Sequence, residues 1–120
     1  MGHLRIDGEH LTIKDVVDVA RNGLLVELSQ EAVSKIKKSR EYVDSLVEKE
    51  AVVYGITTGF GKFSDTYISK EDTKALQRNL IVSHACSMGN PLPEETVRGV
   101  MLLRANALAK GFSGIRLETV

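Results

Sequence analysis

The sequence predicts a mainly α-helical domain with a small strand pair near its N-terminus. Three observations carry this. Four segments between about residues 13 and 110 open on helix-start residues, and three of them close on stop residues. In those segments apolar residues recur at helical spacing or run almost unbroken. Only two short apolar runs near the N-terminus, Leu4 to Ile6 and Val26 to Leu28, have clear strand character.

Leu4 to Ile6 ends at Asp7-Gly8 and Val26 to Leu28 ends at Ser29, so both read as brief strands that can pair. Between them Thr12 caps a helix over about 13–21, with Ile13, Val16, Val17 and Ala20 on one face and Asn22-Gly23 as its stop. Ser29 caps a longer helix to about Glu48, where Val33, Ile36, Val43 and Val47 form the apolar side and Arg40 interrupts it. Ala51 to Tyr54 turns β-like. Gly55, Gly59 and Gly61 follow so closely that no regular element accommodates them, and residues 55–68 read as a loop.

Ser69 and Asp72 make a capping-box-like start for a helix from about Lys70 to Met88, with Leu76, Leu80 and His84 on one line and Gly89-Asn90-Pro91 as its end. Pro93, followed by Glu94 and Glu95 near the positive end of the helix dipole, opens a last helix to about Lys110, and Gly111 stops it. Apart from Arg104 and Asn106, residues 100–109 are apolar, which predicts burial on nearly all sides or packing against another subunit. Ser113-Gly114 reads as the start of a further helical segment.

A chain of 120 residues with 42% hydrophobic content fits one domain whose core needs no metal or disulfide. The 16 basic and 16 acidic residues cancel, so no overall field recruits nucleic acid or an anionic membrane. Arg5, Asp7, Glu9, Lys14 and Asp15 break any secretory apolar region, and no apolar run approaches the roughly 20 residues of a membrane span. The expectation is a soluble, cytoplasmic protein, in keeping with a single Cys86. Ile6 stands where a myristoylation signal needs Ser or Thr.

The most informative segment is Tyr54-Gly55-Ile56-Thr57-Thr58-Gly59-Phe60-Gly61-Lys62. It is not a phosphate-binding P-loop, because Ile56 and Phe63 occupy the places of the required Gly and Ser or Thr. A dinucleotide fingerprint read from Gly59 fails at Ser64. The plain reading is a Gly-rich connection between a short strand and a helix. The alternative is a loop that closes over a small molecule, which suits Tyr54, Thr57, Thr58 and Phe60 among glycines.

His84, on the apolar line of its helix, reads either as a core histidine bonded to a neighbour or as a ligand contact. Cys86, two residues further along that helix, faces elsewhere, so it forms no dyad with His84 and reads as a buried thiol. Lys35, Lys37, Lys38 and Arg40, among Glu31 and Glu41, read as a solvated face. His3 and His10 lack metal-ligand spacing, and no metal is expected.

The Tyr54 loop is followed by Leu76-Gln77-Arg78-Asn79-Leu80, Ser83-His84-Ala85, Pro91-Leu92-Pro93, Met101-Leu102-Leu103-Arg104-Ala105-Asn106 and Gly111-Phe112-Ser113-Gly114-Ile115-Arg116. In that order and spacing the chain resembles the aromatic amino acid ammonia-lyase and aminomutase family from about residue 4 onward, its later blocks being close to the histidine-specific branch. The resemblance implies the N-terminal part of a larger helical enzyme that eliminates ammonia from an aromatic amino acid, leaving urocanate when the substrate is L-histidine. It implies Tyr54 as the base, His84 and Gly61 at the substrate, and Gly55, Thr57, Thr58, Gly59 and Phe60 as the loop, with Gly59, Phe60 and Gly61 letting it swing. A free phenol titrates near 10, so a base poised near neutrality needs about 4 kcal/mol of phenolate stabilisation from a closed site.

The family uses no external cofactor but a methylidene-imidazolone formed from its own Ala-Ser-Gly. These residues contain no such triplet, Phe112-Ser113-Gly114 being the nearest string, so the 120 residues alone are expected to be inactive. A homo-oligomer, a homotetramer by resemblance, is expected, and apolar residues 97–108 favour self-association. Tyrosine or phenylalanine ammonia-lyase and tyrosine aminomutase are the alternatives, with His84 arguing against phenylalanine. A non-catalytic interaction domain docking through the apolar helix 93–110 is the alternative of another class.

Overall fold

In the computed structural model, which describes residues 2–59, 61–63 and 68–120, the elements are β1 (His3–Ile6), α1 (Ile13–Asn22), β2 (Leu25–Leu28), α2 (Gln30–Glu48), α3 (Lys70–His84) and α4 (Glu94–Ala109). Short 3-10 turns stand at Gly61–Phe63 and Leu117–Thr119. Helices with one strand pair are the fold class read from the sequence. The chain divides into two units, Met1–Tyr42 with Pro91–Val120 and Val43–Asn90.

In the first unit β1 and β2 run parallel, with His3 opposite Leu25 and Ile6 opposite Leu28. Parallel strands need a crossover, and α1 supplies it. Thr12 begins α1 with a reciprocal cap: its hydroxyl accepts the Asp15 N–H at 3.2 Å, and the Asp15 carboxylate accepts the Thr12 N–H at 2.9 Å. Gly23, at φ 70°, lets the Leu24 N–H turn back to the Asp18 carbonyl at 3.1 Å and close the helix.

The buried side of α1 differs from the expected face. Ile13 is 85% exposed and Val17 is also exposed, whereas Val19 is buried. Val19 meets Ile6 of β1 and Leu102 of α4 in the core, with Val16 packed beside them. Two neighbours set the orientation of α1, so the buried line runs through Val16 and Val19, three residues apart.

Ser29 caps α2, its hydroxyl accepting the Ala32 N–H at 3.1 Å, and Ala32 and Ile36 are buried. Arg40 corrects the solvated-face reading. It lies on the inner side of α2, half-buried, and its guanidinium donates to the Gly114 carbonyl at 3.4 Å. Lys35 pairs with Glu31, and Lys37 and Lys38 are exposed.

The C-terminal end of α4 approaches two other segments closely. The Gly8 N–H donates to Asn106 Oδ1 at 3.0 Å, which accounts for one polar residue in the apolar run. A Cβ at Gly111, where φ is 77°, would stand 2.6 Å from Lys35 Cβ and 2.8 Å from Lys35 C. The burial expected nearly all round α4 is confined within this chain to Leu102, Leu108 and Ala109, while Val97, Val100, Met101 and Leu103 are exposed. Among the described residues no helix is long and apolar enough to cross a membrane.

After β1 the Asp7 carboxylate accepts the N–H groups of Glu9 at 2.8 Å and His10 at 3.1 Å and lies 2.6 Å from His10 Nδ1. The Glu9 N–H first, then the imidazole, hold Asp7 below the usual carboxylate range, and Asp7 in turn raises His10. Because the Asp7 value is depressed, its contribution to stability is present above the ordinary 3.8 and lost as pH falls through the folded value. The His10 contribution has the opposite sign: complete below 6.5, it disappears as pH rises through the raised value. His10 is exposed and Asp7 half-buried, so solvent still screens the pair.

Two predictions follow from these contacts. By NMR the His10 midpoint is expected above 6.5, and Asp7→Asn should bring it back toward that value; a midpoint at or below 6.5 in the unmodified chain contradicts the pairing. Gly111→Ala should cost about 1–3 kcal/mol more than Gly23→Ala in urea denaturation, since a Cβ at Gly23 meets nothing within 4 Å. Equal losses would mean that the Gly111 approach to α2 is not tight.

Candidate functional site

The second unit takes in the last residues of α2 from Val43 and continues past the helix end at Glu48. Glu50 takes a left-handed φ of 52°, and the Ala51 N–H reaches back to the Leu46 carbonyl at 3.1 Å. The β-like reading of Ala51 to Tyr54 is not realised, because the backbone groups of this stretch are engaged in a turn. The Val53 carbonyl accepts the N–H groups of Ile56 at 3.1 Å and Thr57 at 3.0 Å.

Two threonine hydroxyls complete that turn. Thr57 Oγ1 accepts the Val53 N–H at 2.9 Å and donates to the Ala51 carbonyl. Thr58 Oγ1 accepts the Gly55 N–H at 3.2 Å and donates to the Gly59 carbonyl at 3.0 Å. The two side chains are only 3% and 1% exposed, so their hydroxyls find partners in the protein backbone rather than in water. Gly55 sits at φ 72°, a conformation that favours glycine. The Thr57 carbonyl also accepts the Ile68 N–H at 2.9 Å, closing the loop on itself.

Tyr54 stands on this turn with its side chain 63% exposed. Gly59 is buried. Gly61 has φ 59° and open space where a Cβ would be. Phe60 lies outside the described residues.

Ser69 caps α3, accepting the Asp72 N–H at 3.1 Å, and Leu76 and Leu80 are half-buried as their spacing implies. The helix ends at His84, four residues short of the expected Met88. The Cys86 N–H bonds the His84 carbonyl at 2.9 Å around Ala85 at φ −78°, ψ 65°, an inverse γ-turn that halts the helical ladder. Ser83 Oγ donates to the Leu80 carbonyl at 3.0 Å, and local side-chain bonds of this kind compete with helix continuation.

His84 is therefore exposed at a helix end rather than set in a core. Its Nδ1 lies 2.9 Å from the Leu80 carbonyl and 3.1 Å from Ser83 Oγ, and the tautomer with the proton on Nδ1 makes the Leu80 contact a hydrogen bond. In the neutral ring Nε2 is then the acceptor. Cys86 is also exposed, which corrects the buried-thiol reading: the helix expected to carry it inward stops two residues earlier.

One turn thus gathers Tyr54, Gly55, Thr57 and Thr58, while His84 stands on a separate element of the same unit. The sequence places Thr57 and Thr58 in the loop but does not reveal the hold of Thr57 on Ala51 and Val53 or of Thr58 on Gly55 and Gly59; adjacent hydroxyl residues in a turn are the available sign. In the first unit a cavity of about 410 Å³ is lined by Val26, Leu28, Met101 and Leu102 with Glu27 and Arg98 at its border. It is an uncovered apolar edge rather than a convergence of reactive groups. Among the described residues no three His, Cys, Asp or Glu side chains group to hold a metal.

The aromatic amino acid lyase family profile matches residues 11–120. Histidine ammonia-lyase from Caldanaerobacter subterraneus subsp. tengcongensis is 69% identical over 115 residues, which are 96% of this chain and 23% of that protein. Histidine ammonia-lyase from Alkaliphilus oremlandii is 62% identical over 120 residues, 100% of this chain and 24% of that protein. The crystal structure of histidine ammonia-lyase from Trypanosoma cruzi superposes with a TM-score of 0.89 at 40% identity, covering 98% of this chain and 23% of that one. The chain spans about a quarter of the length of the curated relatives it matches.

The exposure of Cys86 is open to a direct check. A thiol reagent should label the native chain fully without denaturant. Labelling only after unfolding would place the thiol in a buried setting and contradict the early end of α3.

Proposed function

This chain belongs to the aromatic amino acid lyase family, and on that premise we propose that it carries the base and part of the substrate contact of an ammonia-lyase acting on L-histidine. The observation that carries the reading is the exposed Tyr54 side chain on a backbone turn held at both sides by buried hydroxyls. The identities of 69% and 62% to histidine ammonia-lyases support histidine as the substrate.

In the proposed elimination a β-hydrogen of histidine leaves as a proton to the Tyr54 phenolate oxygen. The C–H electron pair becomes the Cα=Cβ bond, and the amino group departs with the C–N pair. Histidine yields urocanate and ammonia, and the phenol then releases its proton. His84 faces the other end of the substrate: with Nδ1–H bonded to Leu80, its Nε2 is the atom that accepts an N–H from the substrate imidazole. Gly61, with open space beside it, allows the backbone to approach the ligand.

The electrophilic ring that the family implies does not fit the residues present. None of them form Ala-Ser-Gly, and the nearest string has its Gly114 N–H bonded to Ser39 Oγ and its Gly114 carbonyl to Arg40. Catalysis in this reading belongs to the full-length lyase. A homotetrameric assembly would cover the exposed Val97, Val100, Met101 and Leu103 of α4.

In the full-length lyase carrying this segment, Tyr54→Phe is expected to lower kcat by about 10²–10⁴-fold with the fold retained, read as urocanate absorbance. Wild-type turnover by Tyr54→Phe would overturn the base assignment. His84→Phe should weaken the preference for histidine over tyrosine; an unchanged preference removes His84 from substrate recognition.

A further inference from the structure

We propose that Thr57 is a positioning residue for Tyr54, a role that rests on the reading of Tyr54 as the base. The residues flanking Tyr54 are both tied by threonine hydroxyls, Val53 through its N–H to Thr57 and Gly55 through its N–H to Thr58. Thr57 does more than Thr58. Its hydroxyl also binds the Ala51 carbonyl where the chain leaves α2, and its own carbonyl holds the Ile68 N–H at the far side of the loop. One buried residue therefore joins the entry of the turn, the backbone beside Tyr54 and the return of the loop.

The physical consequence is control of the direction in which the Tyr54 side chain leaves the backbone. Valine matches threonine in shape but not in hydrogen bonding, so Thr57→Val leaves the Val53 N–H and Ala51 carbonyl without their partner in a site that is 3% exposed. The turn then relaxes, and a displacement of about 1 Å at a reacting atom costs on the order of 10²-fold in rate. Thr57→Ser keeps the hydroxyl and loses only a methyl group.

The test uses the full-length lyase with L-histidine as substrate and urocanate as readout. Thr57→Val should lower kcat by about 10–100-fold with KM changed by less than about threefold, and Thr57→Ser should recover most of the loss. In a Tyr54→Phe background Thr57→Val should cause little further loss, because a residue acting through Tyr54 has nothing left to position. If Tyr54→Phe itself turns over normally, the base reading fails. If Tyr54→Phe is inactive but Thr57→Val keeps its kcat, or the two losses multiply, the positioning role fails and the base reading stands. Should Thr57→Val not assemble, hydrogen exchange on the unmodified enzyme decides: the Val53 amide, bonded to Thr57 Oγ1, is expected to be protected, and its free exchange overturns the proposal.

Discussion

At two points the backbone of the first unit comes too close to its neighbours to admit a Cβ. At Gly111 the chain leaving α4 presses on the Lys35 backbone of α2, and at Gly8 the turn after β1 presses on Asn106 and Lys110. These contacts fix the C-terminal end of α4 against both the strand pair and α2. The position of the core follows, because Leu102 can then meet Ile6 and Val19. So does the role of Asn106: where the Gly8 backbone approaches a helix, its N–H needs a partner, and the Asn106 amide oxygen provides one. The opposite side of α4 is left with apolar residues facing outward.

The second unit is organised on a different basis. Among the described residues every buried hydrophobic side chain belongs to the first unit, and the buried side chains of the second are those of Thr57 and Thr58. Apolar packing is non-directional and tolerates small shifts, whereas a hydroxyl bonded as both donor and acceptor holds its partners at fixed distance and angle. A turn built this way orients a side chain that is itself largely outside the packed interior. Tyr54 is such a side chain.

Legibility in the sequence follows the range of the interactions. The strand pair and the starts of α1, α2 and α3 were readable because Thr12, Ser29 and Ser69 bond backbone groups within three residues of themselves. The stop at Gly23 was readable for the same reason. What was missed depends on distant partners or local competition. The buried face of α1 was set by Ile6 and Leu102, far away in sequence, and Arg40 found its acceptor at Gly114. The early end of α3 came from a γ-turn at Ala85 that no residue type announces. At the candidate site the loop and its tyrosine were legible from motif order, but the backbone partners of the two threonines were not, since a hydroxyl in a turn has several acceptors within reach.

The two threonine hydroxyls also bear on how freely the Tyr54 side chain can be directed. If every glycine near Tyr54 were free, the side chain would sample many directions, and fixing one would cost conformational entropy. The geometry divides the glycines instead. Gly55 is bonded through its N–H, and Gly59 is buried with its carbonyl held by Thr58. Gly61, at a left-handed φ of 59°, has open space where a Cβ would be. The turn that carries the phenol is held through the backbone of both residues that flank it. The direction in which the Tyr54 side chain leaves the backbone is thus set by the hydrogen bonds of the turn itself, on either side of that residue.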